Sequence, residues 1–209
     1  MELKKHNTAQ IHSFLALRKA VGWIGIVLPF VLMLGVILIF KGMMIQASIS
    51  EYYYTGMRDV LVGALCAIAL FLFFYRGYSR LDNWAANVAG FFAVCIAWFP
   101  TTQAGPSDFV GIIHFISATI FFLILAFFSL FLFTRKGSDP TQQKIKRNRI
   151  YIVCGIIMLG CLVGIVIFFN FFEKGHPRSS FVFWAETIAL VAFGVSWLIK
   201  GETLYRDKK

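Results

Sequence analysis

Charge is scarce in this chain. Asp, Glu, Lys and Arg make up 14% of its 209 residues, where a soluble globular domain usually carries about 25%. Hydrophobic residues make up 59%, above the usual figure of about 45–50%. A soluble fold of this length cannot hide so much apolar surface, and the remainder would aggregate. A soluble enzyme and a disordered chain are thereby excluded, and the bilayer is the natural solvent. The four cysteines, Cys66, Cys95, Cys154 and Cys161, fall in apolar segments without C-x-x-C spacing. That pattern excludes a disulfide scaffold, a redox pair and a zinc knuckle, and leaves small buried hydrophobes. The sequence also lacks an alternating barrel pattern, a G-x-S-x-G elbow and a convincing internal repeat of the inverted-transporter kind.

What it has instead is long apolar runs. Crossing about 30 Å of hydrocarbon takes roughly 20 apolar residues. Six stretches qualify, at 20–40, 57–75, 84–100, 109–133, 150–172 and 181–199. Backbone polar groups must be paired within lipid, so all six are expected to be helices. The expected fold is all-α, an integral membrane bundle of six transmembrane helices. Residues 1–19 and 200–209 form tails, and 20–199 form the transmembrane domain. The first run is too long for a signal-peptide core and no small-x-small site follows it, so it is expected to be retained.

The basic residues set a direction. Sixteen of the 20 Lys and Arg residues fall on one side of the six-span layout. They are Lys4, Lys5, Arg18 and Lys19; Arg76 and Arg80; Arg135, Lys136, Lys144, Lys146, Arg147 and Arg149; and Lys200, Arg206, Lys208 and Lys209. The other side holds Lys41, Arg58, Lys174 and Arg178. Cytoplasmic loops carry the Lys/Arg excess, so both termini are expected to be cytoplasmic. The net charge of +10 then faces anionic lipid headgroups. The basic run Lys144–Arg149 sits between two spans and reads as an orientation signal. No nucleic-acid partner is expected, and membrane lipids are.

Small residues mark helix contacts. Ala86, Gly90, Ala93 and Ala97 share one face of the third span, and Gly160 and Gly164 form a G-x-x-x-G pair in the fifth. These stripes suit packing within the chain, a homo-oligomer or a membrane protein partner. Pro29 should kink the first span. Aromatics at span ends, Tyr52, Tyr53, Tyr54, Tyr75, Tyr78, Trp84, Trp98, Tyr151 and Trp184, read as interfacial anchors.

Ionisable residues inside spans are costly and therefore mark candidate sites. Arg58 and Asp59 open the second span, His114 lies in the fourth, Asn170 near the end of the fifth and Glu186 in the sixth. At about 1.5 Å per residue, His114 and Glu186 lie ~8 Å below their helix starts, at similar depth. The expectation is a polar pocket open to the external side, floored by Asp59, His114 and Glu186. Arg58 would hold an anionic headgroup, while Asp59 and Glu186 would orient His114 or act as acceptors. His114, Asp59 and Glu186, with His176, could also be counted as zinc ligands, but one intramembrane histidine is a thin set. No cofactor is expected. Ser48, Ser50, Ser107 and Ser117 lie near enough to consider serine chemistry. The functions to weigh are lipid-headgroup or small-ligand handling, a membrane-embedded hydrolase, a small proton-coupled transporter and a structural subunit.

Ser48-Ile49-Ser50-Glu51-Tyr52-Tyr53-Tyr54-Thr55 and Met57-Arg58-Asp59-Val60 form one block. With Tyr75-Arg76-Gly77-Tyr78, Phe99-Pro100-Thr101 and His114-Phe115, the set resembles an uncharacterised family of bacterial six-span membrane proteins, a domain of unknown function. In layout it is more distantly similar to the DRAM-like and Frag-like six-span proteins of eukaryotes. The resemblance covers residues 45–135. It implies an integral membrane protein of six helices with no assigned activity, and the expected location is a bacterial inner membrane. It adds Ser50 and Tyr53 to Arg58, Asp59 and His114 as a shared external-face set.

Overall fold

The computed structural model describes residues 2–40, 45–103, 108–135, 139–173 and 179–203, with side chains from residue 15 onward. Among these residues the chain is all-helical. Six helices follow in order: α1 (Glu2–Leu38), α2 (Arg58–Phe74), α3 (Arg80–Trp98), α4 (Phe109–Phe127), α5 (Gln142–Phe171) and α6 (Phe181–Lys200). A 3-10 turn, Ser50–Tyr54, precedes α2.

Four helical stretches are long and apolar enough to cross a membrane: Leu15–Leu38, Phe109–Leu132, Gln142–Phe171 and Phe181–Lys200. α2 has 17 residues, and α3 carries Arg80 and Asp82 in its first turn. Both still present bare apolar side chains outward, including Leu70 and Phe74 on α2 and Phe91 and Trp98 on α3.

The helix ends follow local chemistry. α1 extends back to Glu2, well before the expected start at residue 20, because no Gly or Pro interrupts residues 2–19. It also runs through Pro29 as one helix. α5 starts at Gln142, eight residues before the expected span, because the Thr141 hydroxyl accepts the Lys144 N–H at 3.1 Å as a cap. α3 opens on a capping box: Ser79 and Asp82 each accept the other's backbone N–H.

Each helix packs against its chain neighbours, and α1 packs against α6, so the bundle closes into a ring. The closure is tight because two glycines meet. A methyl on Gly194 would lie 2.5 Å from the Gly22 carbonyl oxygen, and one on Gly22 would lie 2.8 Å from the Gly194 carbonyl oxygen. The expected small-residue stripe of α3 does pack: Ala86, Gly90, Ala93 and Ala97 are all buried. The pair on α5 differs. Gly160 faces outward with nothing within 4 Å of an added methyl, and Gly164 has only the Phe181 ring at 3.6 Å. A G-x-x-x-G spacing identifies a shared face but not whether a helix covers it.

The aromatic expectation needs a correction. Trp84, Trp98 and Tyr78 are exposed, as anchors should be, but Tyr52, Tyr75 and Tyr151 are buried core. At the end of the bundle where α2 stops and α3 starts, Tyr75 lies 5.3 Å and Phe133 5.5 Å from the Trp197 ring. Tyr151 stacks on Phe133 at 5.4 Å. A terminal position on a helix fixes depth, and the helix's rotation decides whether the ring faces in or out. A π-helical turn at Phe128–Leu132, closed by the Phe133 N–H to the Phe128 carbonyl at 2.8 Å, delivers Phe128 and Phe133 to this cluster.

An ion pair seals the same end. Asp82 is 2% exposed and takes Arg135 at 2.9 Å. Arg135 also donates to Ser79 at 3.0 Å, and Asp82 accepts the Tyr78 N–H at 2.8 Å. Lys144 donates to the Phe133 carbonyl and Asn148 to the Thr134 carbonyl. Four sites named from the sequence fall outside the described residues: Ser107, Lys174, His176 and Arg178. So do Lys41, Lys136, Arg206, Lys208 and Lys209, and the side chains of Lys4 and Lys5.

Candidate functional site

At the opposite end, residues 45–49, residues 99–102 and the starts of α2, α4 and α6 meet around the 3-10 turn. The turn's geometry selects what faces inward. With three residues per turn, positions i and i+3 eclipse, so Ser50 and Tyr53 share a side. Both line one cleft.

His114 stands at the centre of the contacts. It lies one turn into α4 and is buried. Its Nδ1 is 2.7 Å from the Phe99 carbonyl oxygen, and its Nε2 is 2.8 Å from the Ser50 hydroxyl. A carbonyl can only accept, so Nδ1 carries the proton of the neutral ring. Nε2 is then the acceptor, and Ser50 donates its O–H to it. The ring is aimed from one side by a backbone group and offers a base to Ser50 on the other.

Glu186 lies one turn into α6. Its carboxylate accepts the Ile49 N–H at 2.6 Å. Glu51 does the same for the Ala47 N–H at 3.0 Å, and the Phe183 N–H reaches the Ala47 carbonyl at 2.8 Å. The Glu186 and Phe183 bonds fasten the segment that carries Ser50 to the start of α6, and the Glu51 bond closes that segment on itself. A strap at residues 99–102 fastens it to α4. Tyr54 donates to the Thr101 carbonyl at 2.7 Å, and Thr102 donates to Asp108 at 2.9 Å. Asp108 also caps α4 through the Gly111 N–H at 2.7 Å. The Gly111 and Thr102 hydrogen bonds hold its carboxyl below the usual range, while burial and the charges of Asp108 and Tyr53 raise the Tyr54 phenol above its own. A methyl at Gly111 would collide with the Thr102 hydroxyl, so the strap's close approach requires glycine there.

Below these polar groups the cleft is apolar. Its walls are Leu28 of α1, Leu61, Leu65 and Ile68 of α2, Ile96 and Pro100 at the end of α3, Ala118, Phe121 and Phe122 of α4, and Leu190 of α6. The α4 positions 114, 118 and 121 form one helical stripe running roughly 10 Å deep at 1.5 Å per residue. The cleft leaves a cavity of about 50 Å³ that opens to the outside.

The chain matches no family model, no curated protein and no solved structure.

The structure brings together four of the six residues proposed from sequence: Ser50, Tyr53, His114 and Glu186 all line the cleft. Arg58 stands exposed at the rim. It donates to the Tyr53 hydroxyl at 2.7 Å, with its guanidinium carbon 4.3 Å from that ring's centre. Asp59 is exposed and lines no part of the cleft, so it does not floor the pocket with His114 and Glu186. Neither Asp59 nor Glu186 orients His114; Phe99 and Ser50 do. Asn170 bonds its own helix at the Val166 carbonyl, and Ser117 is buried one turn beyond His114. Among the described residues no three of His, Cys, Asp and Glu gather where a metal ion could sit. Cys154 is buried, the other cysteines are half-buried, and all four are free thiols.

Phe99 is the functional group that side-chain reasoning misses. It acts through its carbonyl, one of the acceptors that every helix end leaves without an intrahelical partner. The signal available in sequence was positional: α3 must end before Pro100, and a buried histidine needs an acceptor.

Proposed function

We propose that this is a six-span integral membrane protein that binds a lipid in the cleft beneath Ser50 and His114. The observation that carries it is the shape of the polarity: hydrogen-bonding groups ring one end of a partly open cleft whose walls are otherwise apolar. A molecule with a polar head and an acyl chain fits that gradient. The head meets Ser50, Tyr53 and His114, and the chain runs down toward Phe121. Arg58 at the rim favours a headgroup carrying negative charge.

The six-span topology is supported by the outward apolar faces of α2 and α3 alongside the four longer stretches. Arg18, Arg76, Arg80, Arg135, Lys144 and Lys200 belong to the Asp82 end, and Arg58 to the Ser50 end. That asymmetry supports cytoplasmic termini and an external cleft in a bacterial inner membrane. A reporter fused to the C-terminus should be active in the cytoplasm; activity only outside it would overturn the orientation.

Native mass spectrometry of the full chain released from mild detergent tests the binding. A discrete lipid adduct is expected, and Ala118→Phe, which fills the cleft, should remove it. A bare wild-type mass, or an adduct that Ala118→Phe leaves in place, overturns the proposal.

A further inference from the structure

We infer that the cleft is also a reaction site, with Ser50 as the nucleophile of a long-chain acyl ester hydrolase and His114 as its base. The inference rests on the lipid-binding proposal for the same cleft and goes beyond it.

Three features support it. First, nucleophile and base are already in reach: Ser50 Oγ and His114 Nε2 are 2.8 Å apart, within the span that hydroxyl activation requires. Second, the base is itself oriented. The Phe99 carbonyl takes the Nδ1 proton at 2.7 Å, which leaves Nε2 unprotonated and facing Ser50. That is the role an acidic third member plays in a serine triad, filled here by a backbone dipole. Third, the pair sits at the junction between the polar mouth and the apolar wall. An ester held with its acyl chain along Ala118 and Phe121 places its carbonyl at that junction and its alcohol portion toward the open side.

The bond changes balance without any redox partner. Ser50 Oγ attacks the acyl carbonyl carbon, and its proton passes to His114 Nε2. Tyr53 is placed to help, because it eclipses Ser50 on the 3-10 turn. Arg58 already donates to its oxygen, so its own O–H is available to the carbonyl oxygen as negative charge develops there. The tetrahedral adduct collapses, the bond to the alcohol oxygen breaks, and the Nε2 proton goes to that leaving oxygen. Ser50 is left acylated. Water entering from the open side then attacks the acyl carbon, giving its proton to Nε2. The Ser50–acyl bond breaks, Ser50 recovers the proton, and a free fatty acid leaves.

The test uses the purified full chain and two serine-directed probes, a long-chain alkyl fluorophosphonate and its short-chain analogue. The expected result is a single phosphonyl adduct that peptide mapping places on Ser50, formed faster with the long chain. Ser50→Ala should abolish it, and His114→Ala should slow it by about 100-fold, the usual contribution of a positioned general base. Mapping the adduct in the unaltered protein does not depend on either variant folding. An adduct elsewhere, equal rates for the two probes, or no adduct while a lipid still co-purifies in the cleft would overturn the catalytic inference and leave lipid binding standing. No adduct and no bound lipid would overturn both.

Discussion

The two ends of this bundle are built on opposite plans. At the Asp82 end a buried carboxylate holds a guanidinium and caps a helix, and Trp197 is packed against Tyr75, Phe128, Phe133 and Phe193. At the Ser50 end the contacts are hydrogen bonds, several of them onto backbone groups, and a cavity of about 50 Å³ opens to the outside. The difference teaches where each property resides. Aromatic packing and ionic closure make one end rigid. The other end keeps a cleft, with Tyr52 packed on Phe183 beside it. His114 Nδ1 and the Glu186 carboxylate there bond to backbone groups, which keeps them oriented without filling the cleft.

The contrast can be broken by substitution. Trp197→Ala should cost the most, about 3–5 kcal/mol from lost packing and the cavity left behind, read as a lowered melting temperature in detergent. Asp82→Ala should cost about 2–3 kcal/mol, from the lost cap and the charged hydrogen bonds to Arg135 and Ser79. Gly194→Ala should cost about 1–3 kcal/mol, because α1 and α6 must separate to admit the methyl. Ser50→Ala should cost only about 1 kcal/mol, one net hydrogen bond, while removing the reactivity of the cleft. Gly160→Ala, with nothing near the added methyl, should stabilise α5 by about 0.5–1 kcal/mol. If Ser50→Ala lowers the melting temperature as much as Trp197→Ala does, the two ends do not differ as described.

The helices were legible in the sequence because apolar runs and caps are local. So was half of the site, since an ionisable group placed among apolar residues has few reasons to be there. Helix rotation explains much of the remainder. Asp59 precedes the inward-facing Leu61 by two positions, about 200° around a helix of 3.6 residues per turn, and so points outward. Arg58, three positions away, returns to within about 60° of that face and reaches the rim. Phe99 was illegible because a carbonyl has no side-chain signature. The Asp82–Arg135 pair spans 53 positions, and no local pattern links residues so far apart.

The ring of helices has one further meaning. Gly201, just past the end of α6, rests against Leu15 and Lys19, part-way along α1. A closed circuit has no natural first member. A rearranged gene that opened with Asp139, ran through α6, joined it by a short linker to Leu15 of α1 and finished at Arg135 would keep the order of helices around the ring. Such a permuted chain should reach the same fold.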